Sequence, residues 1–210
     1  MTTQRIFTTF SGWPLRLACL GLSLAPLAPA FAVDGTITIN GEIIDQTCKI
    51  NGSTPPANLL VTLPKIGNTA LKSKGDTAGA TPFILTLTDC PSSLSGEVRA
   101  YFEPGLTTDY DTGNLIAYQT ETAATLETKL PSAPGTPKTG VQIQLANPDG
   151  KALTMGASAS VQAAQGATLQ ASSSTKTATL RYLARYVKTG TSTIAAGKVK
   201  SYVTYSIIYP

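Results

Sequence analysis

Residues Val33 to Cys48 read VDGTITINGEIIDQTC. Ile37, Ile39, Gly41 and Ile43 alternate with Thr36, Thr38, Asn40 and Glu42. Apolar positions therefore fall on one side of an extended chain and polar ones on the other, which is the period of a half-buried strand. The stretch lies just behind a segment with the marks of a cleavable leader, so no earlier element is expected to stand in front of it and form a hairpin. A strand with one apolar face and no local neighbour needs a distant one. The partner this predicts is another copy of the same chain.

The leader is read from residues 1–32. Arg5 and Arg16 make a basic start, Leu15 to Leu24 is a short apolar run, and Ala30-Phe31-Ala32 has the small-x-small form of a cleavage site. That pattern is a secretory signal peptide, and its apolar run is too short to span a bilayer. The whole sequence has 210 residues and a net charge of +4. Without 1–32 it has 14 basic against 12 acidic residues, a net of +2. The remaining positive charges are scattered, with no basic stripe and little aromatic interleaving, which argues against a nucleic-acid partner.

Cys19 leaves with the leader, while Cys48 and Cys90 remain as an even pair in a chain bound for an oxidising compartment. A disulfide between them is expected, and closing such a loop stabilises a fold by roughly 4 kcal/mol in the chain-entropy model. Free thiols or a metal pair are the alternatives, but further soft ligands are lacking and the chain has no histidine.

Outward from the opening stretch, short alternating runs recur. Leu59 to Leu63 (LLVTL) reads as a strand stopped by Pro64, and Lys65 to Ala80 as a turn-rich connection with one helical turn near Thr69 to Lys72. Pro82 to Cys90 reads as a core strand with Pro82 at its start, where a missing donor is tolerated. Glu97 to Glu103 carries Val98, Ala100 and Phe102 on one face. Leu115 to Tyr118 reads as a short strand, and Ala123 to Thr139, with three prolines, as a surface loop. Val141, Ile143 and Leu145 alternate before the turn Asn147-Pro148-Asp149-Gly150, after which Ala152 to Met155 completes a hairpin. Gly156 to Ser174 has few bulky residues and takes no assignment. Thr177 to Lys188 presents Leu180, Tyr182, Ala184 and Tyr186 on one face, and Val199 to Tyr209 is the last strand. Many short strands with turn signals between them make an all-β sandwich of one domain.

The absence of histidine excludes Ser-His-Asp and Cys-His nucleophiles and histidine metal sites. Glu103, Asp109 and Asp111 lie close together, but acid–base work needs a cleft and a shifted pKa, and a solvated loop is the simpler reading. The segment 111–114 (DTGN) is a turn rather than a calcium loop. No phosphate-binding or dinucleotide fingerprint occurs. An enzyme is not expected, and neither is a cofactor or metal. Tyr182, Tyr186, Tyr205 and Tyr209 read as strand packing rather than a sugar-binding face.

The pattern G-x-I-x-I-x-G-x-I-I-D-x-x-C from Gly35 to Cys48 resembles the N-terminal extension and first strand of chaperone–usher pilins of the type 1-like class. Their C-termini end in an alternating apolar strand with a penultimate tyrosine and a glycine fourteenth from the end, matched here by Tyr209 and Gly197. The spacing of Cys48 and Cys90 fits as well. The sequence is more similar still to the serotype-defining major fimbrial subunits of the Bordetella type. The matching stretches are LPKI (63–66), GDTAGATPFI (75–84), DCPSSL (89–94), AYFEPGLTTDY (100–110), TMGA (154–157) and RYLARYV (181–187). Regions 119–139 and 158–176 match nothing in that pattern.

The resemblance implies an incomplete immunoglobulin-like β-sandwich that lacks its last strand and is completed by a donor strand from another subunit. It divides the chain into a signal peptide (1–32), a donor-strand extension (33–44) and a pilin domain (45–210). It assigns Ile37, Ile39, Gly41 and Ile43 to the donor strand. It assigns Gly197, Val203, Tyr205, Ile207, Tyr209 and Pro210 to the acceptor groove and chaperone contact. The implied partners are other copies of the chain, other pilins, a periplasmic chaperone that holds the terminal carboxylate, an outer-membrane usher and a host-surface receptor. The implied location is the fimbrium, reached through the periplasm, with adhesion as the purpose of the assembly. The alternatives are a minor adaptor or tip subunit and a monomeric secreted immunoglobulin-like binding module. Whether Ile43 and Ile44 belong to the donor strand or to the first strand of the parent fold stays open at this level.

Overall fold

The computed structural model describes residues 36–44, 47–130 and 135–210. The expected leader and its cleavage site lie outside these residues. The chain divides into two units, Met1–Glu42 and Ile43–Pro210. In the first, the described residues 36–42 carry no helix or strand.

The second unit is built from strands. In chain order they are β1 (Lys49–Ile50), β2 (Thr77–Cys90), β3 (Glu97–Phe102), β4 (Thr108–Asp109), β5 (Asn114–Thr120) and β6 (Pro137–Ala146). These are followed by β7 (Ala167–Thr168), β8 (Gln170–Ser172), β9 (Thr175–Lys188), β10 (Lys198–Lys200) and β11 (Tyr205–Ile208). A 3-10 turn at Asn68–Ala70 and the short helix α1 (Ala159–Gln162) are the helical pieces among the described residues. One sheet runs β1-β2-β9-β6-β5-β10, with β4 on β5 and β8 on β9, and the other runs β11-β3-β7. Every strand pair is antiparallel.

The alternation read from sequence is what fills the space between the two sheets. Leu85, Leu87, Leu180, Tyr182, Leu115 and Leu145 from the large sheet share one buried cluster with Val98, Ala100 and Phe102 of β3. Tyr182 is fully buried and joins the layers in two ways. Its ring meets Phe102 edge to face, with centroids 5.1 Å apart, and its hydroxyl accepts the Ala100 N–H. Such a partner matters for a buried phenol, because an unpaired buried hydroxyl costs about 1–3 kcal/mol. The side of β3 away from β11 is completed by Gln162, whose amide bonds both the N–H and the carbonyl of Phe102 at 2.9 Å. Helix α1 falls in the stretch left unassigned above, and its function is to hold that glutamine where a neighbouring strand would otherwise be needed.

The Cys48–Cys90 disulfide is formed. Both cysteines are fully buried, and the bond ties the chain just ahead of β1 to the end of β2.

Several strand readings change, and the Ala152 to Met155 half of the expected hairpin is an isolated bridge, Ala146↔Ala152. Pro82 lies inside β2, which starts at Thr77; the register slips between Ala78 and Thr81, and that irregularity leaves room for a residue without an N–H. Leu59 to Leu63 forms no strand. Val61 and Leu63 do pack on the core, but the backbone finds no ladder partner among the described residues. The expected last strand, Val199 to Tyr209, is two strands in two sheets: β10 pairs with β5, and β11 pairs with β3. Ser201 explains the break. It falls where the alternation asks for an apolar residue, and its hydroxyl bonds the Ile116 carbonyl at 2.8 Å instead of entering the core. Thr107 bonds the carbonyl of Tyr202, and the Glu103 N–H bonds that of Thr204, so the chain is led across from one layer to the other.

Candidate functional site

Strand β11 is the outer strand of its sheet. One edge pairs with β3 in the register Tyr205↔Phe102 to Ile208↔Arg99. The other edge has no strand beside it among the described residues. An unpaired edge is a row of N–H and carbonyl groups ready to bond another chain. Below that edge, Val203, Tyr205, Ile207 and Tyr209 are half-buried and pack against the core.

Two tyrosines of the C-terminal segment reach the N-terminal part of the domain. Tyr205 Oη donates to the Ala57 carbonyl at 2.6 Å, and the Cys48 N–H donates to Tyr209 Oη at 3.2 Å. Two phenols on one face of the C-terminal segment therefore reach two points of the N-terminal one, with no backbone ladder between the segments. Ala57, Val61 and Leu63 also pack on the core. The C-terminal and N-terminal segments thus meet through two tyrosine hydroxyls, with Val203, Ile207, Val61 and Leu63 packed on the same core. Burial raises the pKa of both phenols; for Tyr209 the Cys48 N–H partly offsets this. Both phenols therefore stay neutral and able to bond at neutral pH. Sequence reading named the β11 residues but missed that Ala57, Val61 and Leu63 pack on the same core. The alternation within LLVTL was the available signal.

The remaining assigned residues divide. Pro210 packs so closely on Gly96 that a Cβ added there would lie 2.9 Å from its ring. Gly197 is set apart from β11: it precedes β10, in the large sheet, near the Lys138 side chain. In the extension, Ile37 and Ile39 are each 88% exposed and Ile43 is 98% exposed. A Cβ at Gly41 would meet nothing within 4 Å. Ile44, at 37%, is much less exposed than Ile43. Burying Ile37, Ile39 and Ile43 fully is worth roughly 1.5–3 kcal/mol each, almost none of which is gained at these exposures.

The carboxylate trio is structural. Asp109 accepts the N–H groups of Asp111 and Thr112 and the Gln142 amide. Burial alone would raise its pKa, but these hydrogen bonds outweigh it and hold the carboxyl below its ordinary range. Glu103 accepts from Ser206 Oγ at 2.6 Å. Among the described residues no group of three or more His, Cys, Asp or Glu could hold a metal ion, and no helix is long and apolar enough to cross a membrane.

The family profile "Type-1 fimbrial protein, A" matches residues 63–210. The chain is 44% identical to the serotype 3 fimbrial subunit of Bordetella pertussis, over 94% of this chain and 98% of that one. It is 46% identical to the serotype 2 fimbrial subunit of the same organism, over 93% and 96%. It is 38% identical to the major fimbrial subunit SMF-1 of Stenotrophomonas maltophilia, over 90% and 99%. Among solved structures, a chaperone–usher pilus subunit superposes with a TM-score of 0.52 at 17% identity, covering 89% of this chain and all of that one. The P pilus rod subunit PapA superposes with a TM-score of 0.51 at 14% identity, covering 79% of this chain and all of that one. The fold is thus the incomplete immunoglobulin-like sandwich of the pilins.

Proposed function

The chain belongs to the type-1 fimbrial protein family, and from that premise we propose that its subunits join by donor-strand exchange. It is a structural subunit of a surface fimbria rather than an enzyme, it is exported to the cell surface, and it assembles with itself and other pilins. In the proposed mechanism residues 33–44 of one subunit enter a channel along the open edge of β11 of the next. Ile37, Ile39 and Ile43 supply apolar burial at alternate positions, while the backbone bonds the open edge of β11. This is strand addition to a sheet edge, in which main-chain bonds give affinity and alternate side chains give specificity. Gly41 lets the donor backbone approach closely where the channel is shallow.

The observation that carries the reading is the open β11 edge above half-buried Val203, Tyr205, Ile207 and Tyr209, in a chain whose own extension bears an exposed isoleucine row. Before assembly such an edge invites aggregation. A periplasmic chaperone that lends a strand and holds the Pro210 carboxylate answers that need, and an outer-membrane usher is where the exchange takes place. Residues 1–32 serve as the export signal, and adhesion to a host-surface receptor is the purpose of the polymer.

Deletion of 33–44 tests the mechanism. Unheated surface extracts of the wild type should give a ladder of monomer multiples in SDS that collapses on boiling, since a strand bonded along its length leaves only by unzipping as a whole. The deleted chain should give monomer only, still bound to chaperone. Fibres of normal length from the deletion would refute the exchange.

A further inference from the structure

We propose that the cavity beside the end of β9 binds an oxyanion group, a carboxylate or a sulfate, through Lys188. The site lies at the Thr77 end of β2, the opposite end of that strand from the disulfide.

Lys188 is only 4% exposed, yet it carries an ammonium group. A buried charge is stable only when it is paired or fully hydrogen-bonded. An ammonium has three N–H donors, and Nζ here has one recorded acceptor, the Lys72 carbonyl at 2.9 Å. Neither ion pair among the described residues includes Lys188. The neighbouring Asp76 accepts the N–H groups of Lys72 and Ser73 through one oxygen, Oδ2, and makes no ion pair with Lys188. The charge thus sits against a cavity of about 210 Å³ whose polar lining comes from Asn68, Thr69, Lys72 and Thr193, with no acidic residue in it. That space is several times the roughly 30 Å³ a water occupies in the liquid. A second cavity of about 190 Å³ shares Thr193 and adds Lys138 and Ser192, again without an acid. Cations, hydroxyls and amides without a counter-charge are complementary to an anion that accepts several hydrogen bonds.

Equilibrium dialysis of purified fimbriae against radiolabelled acetate and, separately, radiolabelled sulfate at fixed ionic strength tests the site without depending on how subunits are joined. Saturable uptake approaching about one anion per subunit is expected for at least one probe, and which probe binds tells carboxylate from sulfate. Lys188→Met should weaken it about tenfold or more and Thr193→Val about threefold, as losses of a charged and a neutral hydrogen bond do. Lys151→Met, an exposed charge in the β6 hairpin turn, should bind as the wild type. Absence of saturable uptake of both probes, unchanged uptake in Lys188→Met, or an equal loss in Lys151→Met overturns the proposal. If Lys188→Met yields no fimbriae, Thr193→Val decides, and wild-type affinity there refutes it.

Discussion

Tyr205 Oη and the Ala57 carbonyl are 2.6 Å apart and join residues 148 positions distant in the chain. The bond ties β11 to the segment ahead of β2, and its donor is a half-buried side chain. Tyr205→Phe keeps the ring and removes the clasp. The loss of one neutral hydrogen bond should lower subunit stability by about 0.5–1.5 kcal/mol, read from the urea midpoint at pH 7. Because burial raises this phenol's pKa in the fold, its contribution is complete below the unfolded value near 10 and is lost as pH rises through the folded one. The difference between wild type and variant should therefore shrink at strongly alkaline pH. An equal midpoint at pH 7 would show that the bond does not stabilise the subunit.

Gly41 occupies open space in the isolated chain, so a larger side chain has nothing to disturb there. Gly41→Leu should leave export, disulfide formation and chaperone binding intact. It should stop growth of the polymer, because the added side chain meets the shallow part of the next subunit's channel. Unheated SDS gels read the outcome: a normal ladder from this variant would remove Gly41 from the exchange.

The Cys48–Cys90 bond closes a separation of 42 residues. Replacing both cysteines with alanine should cost about 4 kcal/mol if the chain-entropy account holds, measured as the shift in urea unfolding. Both sulfurs lie in the core next to Ile50 and Leu87, so some packing loss adds to that figure. A shift under about 1 kcal/mol would mean that the unfolded chain is already compact.

Asp109 has a depressed pKa in the fold. A group of that kind stabilises above its unfolded pKa, near 3.9, and the contribution is lost as pH falls through the lower folded value. Stability of the wild type should thus fall below about pH 4, and Asp109→Asn should flatten that part of the curve. Identical acid limbs in the two proteins would show that the turn at 109–112 does not depend on the charge.

Much of the site was legible in the residues themselves. Val98, Ala100 and Phe102, and Leu180, Tyr182 and Ala184, point inward as their spacing predicts. Cys48 and Cys90 pair as their count predicts. Leu59 to Leu63 shows the limit. Its alternation is real, since Val61 and Leu63 touch the core, but alternation reports which side of a segment is apolar and not whether another backbone lies beside it. Gln162 was invisible for the same reason. A glutamine in a bland stretch becomes informative only once β3 is seen to need a partner for Phe102.

The sequence alone determined which faces are apolar and where the chain is stapled, and its alternation of Ile37, Ile39 and Ile43 predicts a donor strand, because each is a property of neighbours along the chain. Only the tertiary structure decided that Val199 to Tyr209 divides between two sheets, that Tyr205 of β11 bonds the Ala57 carbonyl, and that Lys188 is buried beside a cavity with no acid in its lining. Those depend on which backbones lie side by side, and long-range pairing is chosen by the combined packing of the whole core rather than by any local period.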